Sequence, residues 1–180
     1  MELRPAKAIA NELIDILTFN CDRIEIAGSI RRGKQEVKDI ELVCKPKFLN
    51  KLDMFGNVVG SIPKLDVVDW SFIGKPIKNG SRYKQIALHS GINLDLFIVF
   101  PPAQWGCQFT IRTGPADFSK WVVASRQKGG ALPSNSRVKD GCVYCNGEPI
   151  PMPEEIDFLN YLGLGWIEPS EREPEWRRFR

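Results

Sequence analysis

One short stretch constrains this chain more than any other: Gly28-Ser29-Ile30-Arg31-Arg32-Gly33, followed after a few residues by Asp39-Ile40-Glu41. Ile24 and Ile26 alternate in the run from Arg23 to Ala27, which reads as a strand leading into the Gly-Ser turn, and Asp39 to Cys44 reads as a second strand. Side chains alternate across a strand, so Asp39 and Glu41 project from one face and can share a divalent cation. Mg²⁺ takes oxygen ligands, usually a few carboxylates together with substrate phosphates. A Gly-Ser turn offers N–H groups and a hydroxyl to a phosphate, and Arg32 is a planar fork suited to the same group.

A third carboxylate follows downstream. Asn93-Leu94-Asp95-Leu96-Phe97-Ile98-Val99-Phe100 is the most strand-like run, with Asp95 its only charge and Leu94, Leu96, Ile98 and Phe100 on the opposite face. An acid in such a strand is costly unless it is paired or binds a metal. A lone Asp-x-Glu is usually a solvated sheet face. Three acids with a Gly-Ser turn upstream point instead to metal-assisted nucleotidyl transfer.

Composition bounds the rest. The 180 residues suit one ordinary domain or two small ones, and 43% of them are hydrophobic. A net charge of +3, from 25 basic and 22 acidic residues, is too mild to prove a nucleic-acid partner. Cys21, Cys44, Cys107, Cys142 and Cys145 are odd in number and unevenly spaced, which argues against a disulfide framework. Cys142-Val143-Tyr144-Cys145 has no second pair and His89 is the single histidine, which argues against zinc. No run reaches membrane-span length and the N-terminus lacks a signal-peptide core. A cytoplasmic protein, or a viral protein acting in a host cell, is the expectation, with no membrane contact.

The periodicity predicts an amphipathic helix over residues 5–18, a strand around Asp66 to Trp70, and a hairpin with Asn79-Gly80 at its tip. Lys75, Lys78, Arg82 and Lys84 cluster near that tip, which makes them candidates for contact with a phosphate backbone. After Pro101-Pro102 come a helical stretch around Gln104 to Ile111 and a second helix from Asp117 to Lys128. A hairpin through Arg137–Tyr144 and Glu148–Ile150 precedes a short helix from Pro153 to Gly163. The fold class expected is α+β. Residues 1–105 would form a nucleotidyltransferase-type palm, a mixed sheet with helices, and residues 106–180 a small α+β thumb.

Three separated blocks resemble a family X DNA polymerase of the beta type. They are Gly28 to Glu41, then Pro101 to Lys120 with Thr113-Gly114 and Phe118, then Gly147-Glu148-Pro149-Ile150-Pro151 through Glu154-Glu155 and Leu162-Gly163-Leu164 to Arg172. The resemblance implies that Asp39, Glu41 and Asp95 hold two Mg²⁺ ions, with Mn²⁺ a possible substitute, and that Asp95 lies near a primer 3′-hydroxyl. It implies that Gly28, Ser29 and Arg32 hold an incoming dNTP, and that Thr113, Gly114 and Ser119 face its sugar and base pair. Lys120 joins the candidate DNA contacts. Primer-template or gapped DNA would be the partner of a monomeric enzyme active in short-gap or repair synthesis.

Departures from the family pattern are specific. Glu41 stands where the second carboxylate is normally Asp, and it reaches about 1 Å further, a displacement that can cost ~10²-fold in rate. Ile111-Arg112 replaces a Tyr-Phe pair, which implies weaker exclusion of a ribonucleotide, and Asn93 stands where Arg is common. The chain begins almost at the palm, so lyase activity is not expected, as in the minimal polymerases of some viruses. Two other readings stay open: a nucleotidyltransferase acting on a small molecule, a protein or an RNA end, and an inactive nucleic-acid-binding module.

Overall fold

A computed structural model describes residues 1–173 and Arg178. Helix α1 (Leu3–Leu17) buries Ala6, Ala10, Leu13 and Leu17, a spacing that puts one apolar stripe on one face. That stripe packs on a five-stranded sheet in the order β1 (Cys21–Ile26), β2 (Asp39–Pro46), β7 (Asn93–Ile98), β6 (Tyr83–Leu88), β5 (Gly74–Asn79). Strands β2 and β7 run parallel and the other neighbours antiparallel, so the sheet is mixed. Ile40, Leu42, Leu94, Leu96 and Ile86 point towards α1 and form the first core. The α+β class is as expected.

The opposite face of the sheet meets helix α3 (Trp105–Thr113). Ala27, Val43, Val99, Trp105 and Phe109 make a small cluster there, joining the sheet to the second half of the chain. The second half has its own core, in which Phe118, Trp121 and Val122 of α4 (Ala116–Val123) meet Phe158 and Leu159 of α5 (Glu155–Tyr161). A three-stranded sheet, β8 (Ser136–Lys139), β9 (Cys142–Cys145) and β10 (Glu148–Ile150), covers it.

Several elements differ from the sequence expectation. Residues 66–70 are not a strand. Two 3₁₀ turns, Lys64–Val67 and Trp70–Phe72, drop Leu65 and Trp70 into the core, and Asp69 caps the second by accepting from the Ser71 N–H at 3.0 Å. The connection also holds a hairpin, β3 (Phe48–Leu52) and β4 (Val58–Pro63), closed by Asp53, whose carboxylate accepts from the N–H groups of Phe55 and Asn57. The second helix of the C-terminal half stops at Val123 rather than Lys128, because Ala124 turns extended and Ser125 caps a separate 3₁₀ turn. The run from Arg137 to Tyr144 is broken into β8 and β9 by Asp140 and Gly141, both at positive φ. Among the described residues, no helix is long and apolar enough to cross a membrane.

A buried ionic relay ties the two halves together. Glu155, 4% exposed, accepts from Arg31 Nη2 at 2.6 Å and from Arg172 Nη1 at 2.7 Å. Arg31 belongs to α2 (Gly28–Arg31), while Arg172 also donates to the Ile167 carbonyl at 3.0 and 3.2 Å. Burial alone would push the Glu155 carboxyl up, but the hydrogen bonds and charges of Arg31 and Arg172 prevail and hold it below the ordinary value. Glu155→Gln leaves two guanidinium groups facing a neutral amide, and should cost about 3–5 kcal/mol of stability in urea unfolding at neutral pH. Because the folded pKa is depressed, the stabilisation is present above the unfolded value of about 4.3 and is lost as pH falls through the folded one. The acid limb of the stability curve should therefore flatten in the variant. An unchanged limb would place the acid sensitivity elsewhere.

Candidate active site

The parallel pairing of β2 and β7 places Glu41 opposite Asp95 and Asp39 opposite Asn93. Strand parity puts Asp39, Glu41, Asn93, Asp95 and Phe97 on the face that looks away from α1. Asp95 Oδ1 accepts from Tyr83 Oη at 2.8 Å and from Gln85 Nε2 at 2.9 Å. Both donors lie on β6, where Gln85 pairs directly with Asp95. Neither was evident from sequence, although both share strand parity with the acid across the sheet.

Crowding shows in the proton affinities. Burial, then the charge of Asp39, push the Glu41 carboxyl up to about 7, with Asp95 adding to the rise while Arg32 and Arg112 oppose it. Asp39 is also raised, by burial first and by Asp95 next. Among the described residues, no three His, Cys, Asp or Glu side chains converge into a ready-made metal cage. The carboxylates lie side by side and share one field.

Gly28 is required by this geometry. Its φ is +57°, and a Cβ built there would sit 1.6 Å from Glu41 Oε2. The Ala27 N–H donates to the Glu41 carbonyl at 2.8 Å, fixing the turn against β2. The Gly-Ser segment is the first turn of α2, and Ser29 Oγ is buried there without a partner. Arg32 is engaged: Nη1 donates to the Thr113 carbonyl at 2.6 Å and Nε to the Glu173 carboxylate, which Lys34 Nζ also meets at 2.8 Å. Glu173 is held below the ordinary carboxylate range against burial, by hydrogen bonds from Lys34 and Arg32.

The remaining candidates separate. Thr113 is buried, its hydroxyl accepting from Arg31 Nη1 at 2.7 Å. Gly114 faces the Phe118 ring, where a Cβ would lie 2.2 Å from Cδ1. The Ser119 hydroxyl donates to the Ile111 carbonyl at 2.6 Å and so closes the end of α3. Lys75, Lys78 and Arg82 are exposed and Lys120 lies at the surface. Lys84 corrects the expectation of a basic contact: it is 2% exposed and bonded to Asp66 at 3.2 Å and Asn79 at 2.6 Å. Strand parity turns it towards the core, away from Tyr83 and Gln85. Ile111 packs against the second core, and Arg112 lies over the Phe97 ring.

No family model matches this sequence. The chain is 26% identical to DNA polymerase lambda of Rattus norvegicus over 161 residues, which cover 81% of this chain and 28% of that protein's length. The likeness is to a family X DNA polymerase. At that identity the likeness is a coarse one.

The raised Glu41 pKa has a measurable consequence. A folded pKa of about 7 lies above the unfolded value, so the folded chain loses stability as pH rises from ~4.3 through about 7. Glu41→Gln should remove that loss, making the variant more stable than wild type by up to about 3 kcal/mol at pH 8. The gain should vanish below pH ~4. Equal stabilities at pH 8 would show the carboxylate to be compensated already.

Proposed function

We propose that this chain is a template-directed DNA polymerase of the family X type, adding dNMP to a primer 3′-hydroxyl in short-gap or repair synthesis. The carrying observation is the register that sets Glu41 against Asp95, with Asp39 on the same face and the Gly28-Ser29 turn packed on Glu41. Similarity to DNA polymerase lambda over most of the chain supports the same reading.

The donor set fits Mg²⁺. Burial first, and neighbouring carboxylates next, raise the proton affinity of Glu41 and Asp39, as expected of acids placed together with too little positive charge. Asp39, Glu41 and Asp95 would hold the ions, which supply Lewis-acid stabilisation to the attacking and leaving oxygens of an in-line displacement. Tyr83 and Gln85 fix one oxygen of Asp95 and leave Oδ2 to face the 3′-hydroxyl. Ser29 Oγ, buried without a partner, and the α2 N–H groups would take the triphosphate. Arg32 and Lys34 already grip a carboxylate, Glu173, so they are arranged for an anion that would replace it. The nucleotide's α-phosphate would be attacked by the primer oxygen and pyrophosphate released.

A second reading, nucleotide transfer to a small molecule, a protein or an RNA end, is favoured by one feature: Glu in place of Asp at position 41. Primer extension with Mg²⁺ on templated and untemplated ends separates the two. Templated, sequence-faithful extension is expected, lost in Asp95→Ala while DNA affinity stays within about twofold. Substantial extension by a folded Asp95→Ala protein would overturn the site. Glu41→Asp should lower the rate, by up to ~10²-fold, because the ion position is matched to the longer side chain. A faster Glu41→Asp enzyme would show the opposite.

A further inference from the structure

The two donors on Asp95 converge on a single atom. Tyr83 Oη and Gln85 Nε2 both reach Oδ1, at 2.8 and 2.9 Å, and among the described residues none donates to Oδ2. A carboxylate offers about four lone-pair sites, shared equally by its two oxygens. Oδ1 is therefore filled by neutral donors, and Oδ2 alone is left for a cation.

Both donors are held by more than these bonds. Gln85 stands directly opposite Asp95 in the antiparallel β6–β7 register, and Tyr83 stands opposite Phe97. The Tyr83 and Phe97 rings stack at 5.2 Å and 26°, and the Lys78 ammonium lies 5.5 Å from the Tyr83 centroid. The stack fixes the plane of the Tyr83 ring and with it the direction of the hydroxyl. Asn93, on the same strand face as Asp95, is uncharged where the family commonly has Arg, so the carboxylate is oriented by neutral groups. Positions 83 and 85 lie outside the three blocks that carry the family resemblance.

The consequence differs between cations. Ca²⁺ takes about 6–8 oxygen ligands in a flexible geometry and accepts both oxygens of one carboxylate, whereas the smaller Mg²⁺ demands a near-ideal octahedron. An acid that can offer one oxygen only denies Ca²⁺ its chelating mode and leaves Mg²⁺ ligation intact.

We propose that Tyr83 and Gln85 set the cation preference of this face: by filling Oδ1 they hold Asp95 to one-oxygen ligation and so favour Mg²⁺ over Ca²⁺. This rests on the polymerase reading above, which puts divalent ions on Asp39, Glu41 and Asp95. Both are positioning residues, acting through Asp95 rather than on the ion or the substrate.

Competition for bound Mn²⁺, followed by the free-ion signal in electron paramagnetic resonance, tests this on the whole chain without nucleotide or DNA. Only Mn²⁺ that is lost in Asp95→Ala is counted. Mg²⁺ and Ca²⁺ are each titrated against it, and the ratio of their affinities is the readout. Tyr83→Phe keeps the ring on Phe97 and removes the hydroxyl, while Gln85→Leu removes the amide. Each should raise the Ca²⁺ affinity relative to Mg²⁺ by about fivefold, the worth of one neutral hydrogen bond, and the double variant should raise it further. In primer extension with Mg²⁺, added Ca²⁺ should inhibit the double variant at lower concentration than wild type. Residues that merely support the fold would weaken both cations alike, and that result overturns the inference. Should the double variant fail to fold by circular dichroism, Tyr83→Phe alone must show the shift. Variants with the wild-type ratio also overturn the inference, and primer extension by wild type then leaves the polymerase reading standing. Wild type that holds no such Mn²⁺ overturns the inference as well, and if it also extends no primer the polymerase reading falls with it.

Discussion

The site depends on one pairing, the parallel alignment of β2 with β7. That register sets Glu41 beside Asp95 and brings Asp39 within their shared field, although 46 residues separate the two strands in sequence. Parallel strands need a crossover, and the connection here is filled by the β3–β4 hairpin, two 3₁₀ turns and the strands β5 and β6. Because the side-chain period is two, one residue of slip in either strand would turn that strand's acids into the core and its apolar residues out. The apolar stripe of α1 forbids that slip, since Ile40, Leu42, Leu94 and Leu96 must face it. The first core therefore fixes the chemistry on the other face.

Placing three carboxylates together works against stability. Burial and then the neighbouring acids raise the Glu41 proton affinity, and the charges of Arg32 and Arg112 oppose the rise. Fully compensated acids would have no need of a cation. The raised affinities of Asp39 and Glu41 single this face out as the candidate site in a way that surface salt bridges do not.

The second half is held to the first by a different kind of contact. Arg31, Thr113, Glu155 and Arg172 form a buried polar chain in which every charge has a partner. Such a relay contributes less net stability than its Coulomb energy suggests, but it is intolerant of partial removal. It fixes the position of Thr113 relative to α2, and the Thr113 carbonyl in turn holds Arg32. The residues expected to meet the nucleotide's sugar side are thus positioned by their bonds to each other.

What the sequence determined was local and periodic. Alternation in Asn93–Phe100, the Asp-x-Glu spacing, the Gly28-Ser29 turn and the stripe of α1 each follow from side-chain parity or helical spacing, which need no distant partner. Gly28 was legible as a turn residue, though not as the cradle of Glu41. Tertiary structure decided the rest, because burial and partnership depend on what lies across the sheet or the cleft. Lys84 reads as a basic surface residue beside a hairpin tip, yet strand parity turns it inward onto Asp66. Tyr83 and Gln85 gain their role only because β6 pairs with β7 in a register that no local pattern encodes. Arg112 stands out in sequence as a replacement for an aromatic residue, but only packing sets its guanidinium over Phe97 with Nε buried.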